Sequence, residues 1–149
     1  QIGENYRVFV IDVSTGNEPL NPIVFINPKI IKKSGAVISH EGCLSFPEAF
    51  TDVRRYSDVM VKAMDRNGRS FVLEAKDGSL LARAIQHEFD HLDGILFIDH
   101  VINRFEAEEV LKKFTLPPIQ IEKLLDEPEL EAKIEELLKQ KVKSEEKND

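Results

Sequence analysis

The chain has 149 residues, 42% of them hydrophobic and 32% charged, which fits one soluble domain with a full apolar core. Its 20 basic and 27 acidic residues give a net charge of −7, which argues against a nucleic-acid-binding surface over the whole protein and gives no expectation of direct sequence-specific nucleic-acid binding. Cys43 is the single cysteine, so no intrachain disulfide can form; no apolar run approaches the roughly 20 residues that cross a bilayer, and a cytoplasmic protein without membrane contact is expected.

In chain order, residues 6–13 ("YRVFVIDV") and 21–31 ("NPIVFINPKII") are rich in β-branched and aromatic residues and bounded by Gly, Asn and Pro, which predicts two strands with a turn between Thr15 and Pro22. Residues 41–47 ("EGCLSFP") show neither helical nor alternating pattern and read as a loop or edge strand, with Gly42 permitting close backbone approach and Pro47 stiffening the segment. Val59, Val61 and Ala63 alternate up to Asn67-Gly68, and Phe71, Leu73 and Ala75 return, a hairpin signal. After Asp77-Gly78 the period becomes helical through Leu80, Leu81, Ala84, Ile85 and Leu92, with Ser79 as N-cap and Gly94 as terminator. A short helix is expected within 100–114, and Pro117-Pro118 then breaks the chain. From Pro128, Leu130, Ile134, Leu137, Leu138 and Val142 form an apolar stripe that predicts a helix packing back on the domain or on a neighbouring subunit. The fold expected is α+β, with mainly antiparallel sheets packed around a central helix carrying two histidines, a catalytic domain over 1–114 and a charged helical C-terminal extension over 115–149. The oligomeric state is left open.

The segment 86–94, "QHEFDHLDG", sets His87 and His91 four apart around Glu88, so two imidazoles share one face of a helix and can reach one ion. A catalytic metal site commonly uses three protein ligands. The pattern His-Glu-x-x-His-x-x-Gly is followed by Phe97 where a metzincin needs a third His, and a phenyl ring cannot ligate. Glu106, Glu108 and Glu109 are candidates for a zincin-type carboxylate ligand, and Cys43 is the candidate thiolate. A thiolate with two imidazoles suits zinc or ferrous iron rather than magnesium or calcium.

"EGCLSFP" and "QHEFDHLDG" together resemble motifs two and three of the peptide deformylases, and "QIG" (1–3) resembles the tail of that family's motif one. The resemblance runs to about residue 105, and it implies that the N-terminal helix, the first strand and the glycines of motif one precede Gln1. It implies that Cys43, His87 and His91 hold one divalent ion, ferrous iron in function, with zinc, nickel or cobalt able to replace it. Water at the open position, its pKa brought toward about 7, would be the hydroxide nucleophile, and Glu88 the general acid/base. The oxyanion donors implied are the backbone N–H of Leu44 and the side-chain amide of Gln1. The implied substrate is a nascent polypeptide beginning with N-formylmethionine. It would pair as an added strand near Gly42, with its methionine side chain beside Ala84 and the Arg83 stem, one turn before His87. Glu41, Asp90 and Asp93 are available to orient the imidazoles, and Arg55 is expected to pair with Glu41. A ribosome contact through the tail is a weak expectation, because from Ile119 onward it carries six basic and ten acidic residues. The alternatives are a zincin-type protease and a non-catalytic metal-binding domain.

Overall fold

The computed structural model describes residues 3–115 and 128–145. The chain divides into two compact units, Gln1–Ser34 with Tyr56–Ile95, and Gly35–Arg55 with Leu96–Asp149.

The first unit is a four-stranded antiparallel sheet in the order β1 (Val8–Ile11), β2 (Ile23–Ser34), β5 (Asp58–Met64), β6 (Ser70–Ala75), with one helix, α1 (Leu80–Leu92). β1 (Val8–Ile11) pairs with β2 (Ile23–Ser34) so that Phe9 faces Phe25, and their rings lie 4.8 Å apart in the core. β2 shifts register between Ile26 and Lys29, where Asn27 takes φ +48° and Pro28 has no N–H for the ladder. β5 (Asp58–Met64) and β6 (Ser70–Ala75) form the expected hairpin. Its turn is tied by the Asp65 carboxylate, which accepts from Asn67 N at 2.8 Å and Arg69 N at 2.9 Å; these bonds, the one from Arg69 foremost, hold Asp65 below the usual carboxylate range. Val59, Val61 and Ala63 all face inward, as their alternation requires, and pack with Phe9, Ile11, Phe25, Ala82 and Ile85. α1 (Leu80–Leu92) starts where Ser79 Oγ accepts from Ala82 N at 3.3 Å, and the chain leaves its far end through Gly94 at φ +73°.

The second unit holds a two-stranded sheet, β3 (Val37–Cys43) and β4 (Phe46–Arg55), a 3-10 turn at Phe97–His100, and the helices α2 (Arg104–Lys113) and α3 (Pro128–Glu145). Its core gathers Phe46, Ala49, Val53, Phe97, Ile98, Val101, Ala107 and Leu111. The strand pair 37–55 is more regular than the loop or edge strand expected around 41–47. α3 packs within this unit: Leu130 and Ile134 are buried, and Arg54 on β4 bonds Glu131 at 3.0 Å. No helix among the described residues is long and apolar enough to cross a membrane. Antiparallel sheets with segregated helices bear out the α+β class.

Candidate metal centre

α1 presents His87 and His91 one turn apart with ring centroids 4.8 Å from each other and planes at 86°, so neither ring stacks over its neighbour. Burial first, and then the neighbouring His87, push the His91 imidazole below its ordinary pKa, against an opposing pull from Glu88. A lowered pKa keeps that ring neutral near pH 7, the form that has a lone pair to give to a cation.

Gln86 had drawn no role from the sequence, yet it fixes this helix. It is 6% exposed, its Oε1 accepts from Tyr56 N at 3.0 Å, and its Nε2 donates to Tyr56 O at 2.9 Å and Ala82 O at 3.0 Å. A polar amide in the buried phase of Ala82 and Ile85 was the available signal, because a buried amide must find partners. Arg83 Nε donates to Gly78 O at 3.0 Å, tying the first turn of α1 to the loop before it, while Ala84 packs on the first unit's core. Asp93 pairs with Arg7 at 2.6 Å.

Cys43 closes β3, and the peptide turns at Leu44 and Ser45 before Phe46 opens β4. The register jumps here from Gly42↔Phe50 to Cys43↔Phe46, and Glu48 in the resulting bulge takes φ +61°. Gly42 is required by close approach: a Cβ there would meet the Phe50 ring at 2.6 Å and Ala49 O at 2.9 Å. The Leu44 side chain is 93% exposed, so this position is held by its backbone and not by packing. Behind Cys43 on the same strand face, Glu41 binds Arg55, with Nη2 to Oε2 at 2.9 Å and Nε 3.3 Å from both carboxylate oxygens; Arg55 is 2% exposed, so the expected pair is a buried one.

The Cys43 sulfur and one ring nitrogen from each of His87 and His91 lie within 4.8 Å of one another. Among the described residues no other three His, Cys, Asp or Glu side chains gather in this way. The carboxylates weighed as a zincin-type ligand have other engagements. Glu106 accepts from Thr51 Oγ1 and Asn103 Nδ2, Glu108 pairs with Arg104 at 3.3 Å, and Glu109 with Lys112 at 2.9 Å. Gln1 lies outside the described residues. One soft thiolate donor and two imidazoles fit a borderline transition-metal ion and are a poor set for magnesium or calcium.

An α+β fold in which these three side chains gather, two of them on a His-Glu-x-x-His helix, has a donor set that could hold a metal ion. Residues 1–107 match the family model for polypeptide deformylase, and the chain belongs to that family. It is 47% identical over 116 residues to the peptide deformylase of Agrobacterium fabrum, covering 77% of this chain and 66% of that protein. With peptide deformylase 1 of Clostridium perfringens the identity is 50% over 100 residues, covering 67% and 65%. Among solved structures, the peptide deformylase from Synechococcus elongatus in complex with actinonin superposes with a TM-score of 0.66 at 45% identity, over 74% of this chain and 60% of that one. The chain thus spans 64–66% of the length of these curated relatives and that of Mesorhizobium japonicum.

Proposed function

We propose that the protein removes the formyl group from N-formylmethionine at the N-terminus of newly made proteins. The observation that carries this reading is the meeting of Cys43, His87 and His91 donors in a chain whose family match runs through both motifs. These three residues would hold one divalent ion, ferrous in function and replaceable by zinc, nickel or cobalt. When bound, the ion supplies Lewis-acid polarisation of the formyl carbonyl and makes water more acidic.

The remaining work falls to the chain. Glu88, between the two histidines, takes a proton from the attacking water and returns it to the departing amine, so that the amide and water become formate and a free amino terminus. The Leu44 N–H, one residue after the thiolate, donates to the oxygen on which negative charge builds, and loss of such a donor elsewhere costs about 2.7–4 kcal/mol. The Gln1 amide is the second donor of this proposal. The peptide adds as a strand near Gly42, and backbone pairing of that kind is indifferent to the substrate's later side chains. Ala84 and the Arg83 stem are assigned to the methionine side chain. Substrates that emerge from translation favour the cytoplasm as the place of action. On α3, Lys133–Glu129 and Lys139–Glu135 are paired at 2.6 and 3.3 Å, so these two lysines are already matched by acidic neighbours on their own helix.

Formate release from formyl-Met peptides tests the reading. The protein loaded with Co(II) or Fe(II) under anaerobic conditions is expected to release one formate per peptide and to leave internal peptide bonds intact. Endoproteolysis without formate release would transfer the reading to the zincin class. A bound ion with neither activity would leave only a non-catalytic metal-binding domain.

A further inference from the structure

Arg7 stands one residue before β1, 84 positions ahead of His91, and its guanidinium closes on the last turn of α1. Nη1 donates to Leu92 O at 3.1 Å and to Asp93 Oδ1 at 2.6 Å, and Cζ lies 5.6 Å from the centre of the Phe89 ring. One side chain therefore meets a helix-end carbonyl, the C-cap carboxylate and an aromatic face of the turn that contains His91. The backbone at Arg7 is itself fixed, because its carbonyl accepts from Asn27 N at 2.8 Å. We propose that Arg7 is a positioning residue for the metal site: it clamps the last turn of α1 and so holds His91 in the pose needed to coordinate an ion. The inference rests on the metal-dependent reading of this site.

The final turn of a helix frays because its carbonyls have no partners within the helix, and a cation placed there both satisfies a carbonyl and complements the helix dipole. Gln86 anchors the turn of His87 through three hydrogen bonds, but it lies more than a turn before the helix end. His91 is in the turn that Gln86 does not reach, and Arg7 contacts that turn. Arg7 and Asp93 are 43% and 42% exposed, so as an ion pair screened by water they add little to global stability. An arginine fork at such a place gives direction, since its planar donors fix the angle of the groups they bind.

The test measures Co(II) affinity by competition with a chelator, the visible spectrum of the Co(II) form, and the unfolding temperature of the metal-free protein. Arg7→Met is expected to weaken Co(II) binding about tenfold, the lower end of the range for losing a group that orients a metal ligand. Its metal-free unfolding temperature should stay within about 4 °C of wild type, as for loss of an exposed pair. Arg7→Lys keeps the charge without the fork and should lie between the two. The proposal is overturned if Arg7→Met binds Co(II) within about twofold of wild type, or if the lost affinity comes with a large fall in metal-free stability, which marks a purely structural role. Wild-type protein that takes up no Co(II) is a separate result, and it overturns the metal reading itself together with the role of Arg7.

Discussion

Glu88→Gln is expected to lower kcat for formate release by about 10²–10⁴ while leaving the metal content unchanged, because a positioned general acid/base contributes on that order. The amide keeps the size of the side chain but can no longer accept and return a proton. Metal uptake should survive, because Glu88 is not among the gathered donors and its charge is one of the influences that raise the His91 pKa. Without that charge His91 stays neutral to a still lower pH, which favours coordination. Activity of the metal-loaded variant within about tenfold of wild type would remove Glu88 from the proton transfers assigned to it.

The largest effect on stability is expected at Arg55. Arg55→Met removes a buried guanidinium from a carboxylate that is itself only 9% exposed, at a cost of about 3–5 kcal/mol in urea unfolding. Replacing both residues, with Glu41→Leu added, should recover much of that loss, since an apolar pair of similar volume carries no desolvation penalty. Glu41 lies two residues before Cys43 on the same face of β3, so the single variant should also loosen the strand that delivers the thiolate. A loss below about 1 kcal/mol in Arg55→Met would show that the pair contributes no more than an exposed one.

The two burial patterns explain why one half of the sequence was easier to read than the other. In β5 the inward residues are Val59, Val61 and Ala63, so hydrophobic alternation and burial coincide, and the hairpin is legible. In β3 and β4 the inward phase carries Ser39, Glu41, Thr51 and Arg55, all buried and all polar. Burial alternates over Ser39–Glu41 and Ala49–Arg55, but hydrophobicity follows it only at Ala49 and Val53, so the period of two was partly hidden in residues usually found at the surface. α1 was legible because Ser79, the apolar phase and Gly94 agree on its limits. Spacing within that helix offers two candidate ligands and stops there. The third candidate lies in a distant segment, where spacing alone left Cys43 beside Glu106, Glu108 and Glu109; the resemblance to a family favoured Cys43, and its sulfur is among the donor atoms that gather. The Arg7–Asp93 contact joins residues 86 apart that carry no shared pattern, and pairs of that kind are read from coordinates.

X-ray absorption of the Zn(II)-loaded protein tests the central claim most directly, because it counts the atoms around the ion without relying on activity. One sulfur at about 2.3 Å, two imidazole nitrogens at about 2.0–2.1 Å and one light scatterer left for solvent is the shell expected. A shell of nitrogen and oxygen only, or one unchanged in Cys43→Ser, would contradict it.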